Sequence, residues 1–318
     1  VSPVTVQRVF DRLIEEGYVE PRGCNGSFVV DSPPHLNHYW IVFPHDLADH
    51  PHPFKDAFIH EARKFSRNRA ESFSIHVGHG GYFRQGDYAA QLHDLTTHRT
   101  AGINFATARN YWNDTPLRQE PGLPRIAFSP GPEGPKDIAL IRFDRESFFD
   151  KALDLLKSMG RSRVAVLGCA LPTAYRDHFL QGVVRRDMQT RPYWIQFAHA
   201  HGTSAARNLT HLLMHQDQRM RPDALIVMDD ALIGEATSGL MDAGVRTPED
   251  LTIIAHTNFP HPAPSLAPVI HLGYDVTDLL AKCLNVLAAQ RRGEPFPTVT
   301  LAPPLFEEEL SGVATQTR

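Results

Sequence analysis

Asp229 and Asp230 stand together after the apolar run Ala224–Met228 and just ahead of a helical pattern. A short continuous apolar run followed by a helix reads as a buried strand of a parallel sheet. Ligands bind at the carboxyl ends of such strands, so acidic groups there are candidates for ligand contact. The competing role is structural, because an Asp ahead of a helix bonds its free N–H groups. The order of the residues favours Asp230 as cap and Asp229 as ligand group, with the reverse assignment as the competing account. An acid/base dyad would be a third use, but no nucleophile or metal motif accompanies the pair.

Eighteen histidines are many for 318 residues. The pairs His50/His52, His76/His79 and His199/His201 have imidazoles close in sequence, yet no Asp, Glu or Cys completes a recognisable ligand spacing. They read as scattered surface histidines, and no metal or cofactor is expected. His60-Glu61 begins like a zinc helix, but position 64 is Lys. Gly78-His79-Gly80-Gly81 lacks the Lys and Ser of a phosphate-binding loop and reads as a flexible loop. No dinucleotide fingerprint and no serine-nucleophile elbow occurs. These absences oppose an enzyme.

Candidate ligand groups need strands to present them. Tyr39–Phe43, Ser72–Val77, Gly102–Ala106, Arg125–Phe128, Ile138–Phe143, Arg163–Gly168, Trp194–Phe197, Ala224–Met228, Leu251–Ala255 and Thr298–Leu301 read as strands. Helical spacing covers Phe54–Phe65, Tyr88–His98, Phe148–Leu156, Thr173–Arg186, Ser204–His215, Ile233–Ala243 and Val276–Arg291. Alternating strands and helices over about 280 residues indicate α/β architecture with parallel sheets in two lobes. Composition agrees, with 42% apolar and 21% charged residues. The net charge of −4 excludes a global positive field for nucleic acid or anionic membrane. No apolar run approaches the roughly 18 residues of a membrane span, and no secretory leader is read at the start. Cys24, Cys169 and Cys283 form no disulfide or metal spacing, which suits a reducing cytoplasm.

The first thirty residues differ. Ser2-Pro3 opens a helix, and Val6, Val9, Phe10, Leu13 and Ile14 share one face of it. Tyr18–Glu20 and Ser27–Val30 then read as a hairpin around Gly23-Cys24-Asn25-Gly26. A helix and a hairpin are too small to bury a core, so they are expected to end a longer module or to dock on the remainder. Asp31–Asn37 reads as a linker, rich in Ser and Pro.

The stretch SPVTVQRVFDRL followed by EEGYVEPRGCNGSFVV resembles the second half of a GntR-family winged helix, in which a recognition helix precedes a glycine-containing wing. The resemblance implies operator DNA as a partner, with Ser2, Thr5, Gln7 and Arg8 at the groove and Arg22 near a phosphate. Pro3 and Gln7 stand where the family usually has arginines, and residues 1–30 hold three Arg against one Asp and three Glu. From Tyr39 to about Gly312 the chain is similar to the effector domain of LacI/GalR-type repressors. YWIVFP, FDRESFFDKALDLLKSMGRSRVAVLGC, PDALIVMDDALIGEATSGLMDAGVRTPEDLTIIAH and LAAQRRGEP match the family pattern in order.

This second resemblance implies a two-lobed periplasmic-binding-protein-like fold of type I, preceded by a partial winged helix at 1–30 and a linker at 31–37. One lobe is expected at about 38–144 and 269–297, and the other at about 145–268 and 298–318. Crossovers are expected near Asp144, Ser265–Pro268 and Pro297. It further implies a homodimer and a small effector between the lobes. The family's ligand positions fall on Asp229, on Tyr175 with Arg176 one place off, on Thr257 beside Asn258, and on His52 and Phe54 after the first strand. The family's usual Arg and Asp are changed here, but aromatic faces with a polar rim suit a carbohydrate-like ligand. The functional expectation is a cytoplasmic transcriptional repressor controlled by such an effector. The alternative is a solute-binding protein of a transport system.

Overall fold

Ser2 caps the first helix, α1 (Pro3–Glu15), by accepting the Thr5 N–H at 3.3 Å, and Pro3 occupies the first turn, where its missing N–H costs nothing. The hairpin follows as β1 (Val19–Pro21) and β2 (Ser27–Val29), antiparallel, with Glu20 opposite Phe28. No residue of α1 is buried, and Val4, Val9 and Phe10 stay exposed. The computed structural model describes residues 2–31, 33–43, 52–77, 93, 95, 97, 99–106, 116–119, 121–129, 137–199 and 204–313. Ser32, His50, the loop at 78–81, His201 and most of the helix read over 88–98 lie outside the described residues. His93 and Leu95 of that helix are helical.

The chain continues through α2 (Pro34–Asn37), β3 (His38–Phe43), α3 (Pro53–Asn68), β4 (Ser72–Val77), β5 (Gly102–Phe105), α4 (Pro116–Gln119), β6 (Arg125–Ser129) and β7 (Ala139–Phe143). Then come α5 (Arg145–Ser158), β8 (Val164–Gly168), α6 (Thr173–Arg185), β9 (Ile195–Phe197), α7 (Ser204–Met214), β10 (Ala224–Val227) and α8 (Ile233–Asp242). β11 (Thr252–Phe259), β12 (Ile270–Asp275), α9 (Val276–Arg292), β13 (Val299–Ala302), β14 (Leu305–Phe306) and α10 (Glu307–Val313) complete the described order.

Two compact units result. The first comprises Val1–His50, Ile59–Arg142 and Leu280–Thr300, and the second Pro51–Phe58, Phe143–Leu279 and Leu301–Arg318. The first unit's sheet has the order β13-β7-β6-β5-β3-β4. Its pairs from β7 to β4 are parallel, with Val42 opposite Phe105. Trp40, Val42, Ile103, Phe105, Ala127 and Leu140 meet in its core. Their alternation along each strand places them on one face.

The second unit's sheet has the order β14-β12-β11-β10-β8-β9. All its pairs are parallel except β12 with β14. Ala165, Leu167, Leu225, Val227, Ile253 and Ala255 supply one face, against Leu213, Ile233, Ala236 and Leu240 from α7 and α8. The fold is therefore α/β, with two mostly parallel sheets. β12 was not anticipated from the sequence. Its pattern IHLGYD is broken by Gly273, which is required because a Cβ there would overlap the backbone of Thr257.

Candidate functional site

The candidate site lies in the second unit, at the carboxyl edge of its sheet. Cys169 follows β8, Asp229 and Asp230 follow β10, and His256 to Asn258 end β11. His52 leads into α3, where its carbonyl oxygen accepts the N–H groups of Lys55 and Asp56.

Asp229, not Asp230, takes the capping role, and it also lies beside His52. It caps the turn Asp230–Leu232 by accepting the Ala231 N–H at 3.1 Å, and its Oδ1 lies 3.6 Å from His52 Nε2. Burial pushes the Asp229 carboxyl up, but the His52 bond and charge, with the Cys169 thiol, outweigh it and hold the group below the usual range. The same contact acts on the ring. Burial lowers the His52 pKa, and Asp229 with the charge of Asp230 raises it above its ordinary value.

Asp230 is not the helix cap, which corrects the expectation. It is 2% exposed, and its Oδ2 accepts the Asn258 side-chain amide. α8 has no side-chain cap; the backbone at its N-cap position belongs to Leu232. The reason is local: the short turn after β10 takes its capping acceptor from Asp229, which turns Asp230 inward. Burial and then the Asp229 charge raise the Asp230 pKa to about 7, against the lowering effects of His52 and Asn258. Two carboxylates at adjacent positions cannot ionise independently in such a site.

His52, Asp229 and Asp230 bring ligand-type atoms within 4.8 Å of one another. The His52 hydrogen bonds assign this contact differently. Its Nδ1 accepts the Phe54 N–H at 3.3 Å, which places the proton of a neutral ring on Nε2, facing Asp229. The protonated Nε2 thus faces the carboxylate, 3.6 Å from its Oδ1. Phe54 itself stacks on Phe58 at 5.7 Å and meets Phe143 edge-on at 5.8 Å.

Neighbouring strand residues point to opposite faces, and this separates Thr257 from Asn258. Thr257 is fully buried and bonds His271 Nδ1 at 2.8 Å, so it is not brought to the carboxylates. Tyr175 is buried in the first turn of α6, while Arg176 is exposed one position on. Sequence reasoning missed His256, Tyr274, Cys169 and Arg145. His256 had a usable signal, because it shares the Asn258 face by alternation. Burial and then the Arg145 charge depress its pKa to about 3, so its ring is neutral.

In the first unit, Ser2 and Thr5 bond each other at 3.1 Å, and Gln7 donates to Asp11 at 2.8 Å. Arg22 donates to Glu20 at 2.6 Å and lies over the Phe28 ring at 4.9 Å. Arg8 makes no side-chain hydrogen bond or ion pair among the described residues and is exposed.

The two mostly parallel sheets form a periplasmic-binding-protein-like fold. Residues 153–304 match the family of the periplasmic binding protein-like domain. The HTH-type transcriptional repressor PurR of Aliivibrio salmonicida is 24% identical over 146 residues, 45% of this chain and 43% of the repressor. The chain thus spans less than half the length of the curated relatives it matches. A LacI family transcriptional regulator from Arthrobacter sp. in complex with lactose superposes with a TM-score of 0.64 at 18% identity, over 86% of this chain and 98% of that one. The transcriptional regulator CelR in its cellobiose complex gives 0.63 at 17% identity, over 96% and 90% of the two chains. A LacI family regulator from Lactobacillus casei with bound glucose gives 0.62 at 15% identity, over 85% and 98%. These likenesses establish the fold. No helix among the described residues is long and apolar enough to cross a membrane.

Proposed function

We propose that the protein is a DNA-binding transcriptional regulator, a repressor acting in the cytoplasm, whose operator affinity is set by a carbohydrate-like effector bound at the carboxyl edge of the second unit's sheet. The observation that carries this reading is the site itself: Asp229, Asp230 and Asn258 beside His52, with the rings of Phe54 and Phe143 next to them. Carboxylates and amides accept and donate to hydroxyls, and aromatic faces cover the apolar side of a sugar ring. The similar regulators with lactose, cellobiose and glucose support the ligand class. On this reading His52, Phe54, Asp229 and Asn258 contact the effector, with Tyr175 behind them. α1 and the hairpin are the reading helix and wing of a GntR-type head, presenting Ser2, Thr5, Gln7, Arg8 and Arg22, and the active species is a homodimer. Effector binding favours one conformation over another only by its difference in affinity for the two.

The test is a thermal-shift screen of the 318-residue chain against sugars, sugar acids and nucleosides. A ligand present at 100 times its Kd should stabilise the fold by about 2.7 kcal/mol. A flat response across all sugars and sugar derivatives at millimolar concentration would sink the carbohydrate reading.

A further inference from the structure

Four buried polar atoms of the second unit have no hydrogen-bond partner among the described residues: Asp230 Oδ1, Asn258 Oδ1, His256 Nδ1 and the Tyr274 hydroxyl. Their residues are between 1% and 8% exposed. Buried polar groups are nearly always satisfied, so a cluster of exceptions calls for an explanation. These four are close together. His256 and Asn258 share one face of β11, Asn258 is opposite Tyr274 in register, and the Asn258 amide bonds Asp230. Orphan atoms gathered at the carboxyl edge mark where a ligand's polar groups complete the bonding.

The second observation is a charge. Arg145 opens α5 and is partly buried, and its side chain makes no hydrogen bond or ion pair among the described residues. It precedes Phe148 by three positions, so the two side chains share a helix face. Phe148 packs on both His256 and Tyr274, with ring centroids 6.1 and 6.5 Å away. The Arg145 charge acts on His256, Tyr274 and Cys169. Asp229 and Asp230 stand at the other side, with Asn258 and His52. The site is therefore bipolar: the Arg145 guanidinium, unpaired among the described residues, acts on Tyr274, and acceptors for hydroxyls lie beside His52.

We propose that the ligand is a polyhydroxylated acid, a sugar acid or a sugar phosphate, whose anionic group is taken by Arg145 and the Tyr274 hydroxyl while its hydroxyls bond Asp229, Asp230 and Asn258. The inference rests on the carbohydrate-effector reading of the same site and narrows it. A guanidinium presents paired donors that match carboxylate and phosphate oxygens, and such charge-assisted bonds exceed those to a neutral hydroxyl. A neutral sugar would leave Arg145 without a counter-ion.

Calorimetric titration of the 318-residue chain with gluconate, galacturonate, glucose 6-phosphate, glucose, galactose and succinate tests this. At least one acidic sugar should bind tenfold or more tightly than its neutral counterpart, and the carboxylate and phosphate probes separate the two sources of charge. Arg145→Gln should remove most of that preference, and Arg145→Lys should keep part of it at an unchanged melting temperature. Equal affinity for acidic and neutral sugars, or equal weakening of both by Arg145→Gln, overturns the proposal and leaves the carbohydrate reading standing. Binding of succinate without any sugar overturns the polyhydroxyl part together with that reading. No binding by any probe overturns both.

Discussion

At the scale of single residues, the two adjacent carboxylates divide their work by burial rather than by order in the chain. Asp229 is held ionised by His52, and Asp230 is forced toward its neutral form by burial and by Asp229. The sign of the resulting pH dependence follows. A carboxyl raised from 3.8 to about 7 contributes stability that is fully present below 3.8 and is lost as the pH rises to about 7. Asp230→Asn removes that dependence while keeping an acceptor for Asn258. Relative to the parent chain, the variant should therefore gain stability between pH 5 and pH 8, as read from urea unfolding at the two values. An identical pH dependence in the variant and the parent would show that Asp230 is ionised throughout. Asp229 makes a different prediction, because it both caps and faces the proposed ligand. Asp229→Ala should cost about 1 kcal/mol of stability through the lost cap. It should also weaken the effector by tenfold or more, since a charge-assisted hydrogen bond contributes about 1.5–3 kcal/mol. Asp229→Asn should retain more of the stability than of the affinity. Unchanged affinity in Asp229→Ala, measured by calorimetry, would confine the residue to its cap. The sequence made this carboxylate pair visible as a strand-end feature. Which member turns inward was not legible, because it depends on the Asn258 amide on another strand, 28 positions away.

At the scale of elements, the apolar runs were legible wherever both faces of a strand are buried, as in β3, β8 and β10. β12 was not, because its sequence carries His271, Gly273 and Asp275, and its place in the sheet comes from the partner strand β11. The packing of α7 on α8 was also invisible in the sequence. Thr210 Oγ1 donates to the Ala236 carbonyl at 2.8 Å, and a Cβ on Gly239 would overlap the Arg207 carbonyl oxygen. Glycine inside a helix ordinarily costs about 1 kcal/mol relative to alanine, so exchange for alanine is favourable where space exists. At Gly239 no space exists, and the obstructing atom is backbone. Gly239→Ala should lower stability by about 1–3 kcal/mol as an overpacked site. Gly234→Ala, in the same helix, meets nothing closer than the Pro264 carbonyl oxygen at 3.7 Å and should be neutral or mildly stabilising. Equal unfolding midpoints for the two variants would mean that the helices move apart at little cost.

At the scale of the whole molecule, the proposed regulator must answer to DNA in one unit and to an effector in the other. If the effector changes operator affinity by some factor, the operator must change effector affinity by the same factor. The electrostatics of the first unit limit how strongly DNA is held by these 318 residues. On α1, Arg12 is paired with Glu16 at 2.8 Å, and in the hairpin Arg22 is held by Glu20. Exposed pairs of this kind are weak, yet each reduces the charge offered to a phosphate. Arg8 is the cation on α1 that no described residue engages. Each neutralised phosphate contributes a slope of about −0.9 to the dependence of log affinity on log salt. One or two such contacts predict a slope between about −1 and −2 per chain, with affinity no tighter than micromolar in physiological salt. Arg8→Ala should remove most of that slope, Arg22→Ala little of it, and Gln7→Ala should change base preference more than salt dependence. Fluorescence anisotropy of a labelled duplex across a salt series reads all three. Nanomolar binding of one operator, with a slope steeper than about −4, would show that cations outside α1 and the hairpin carry the DNA contact.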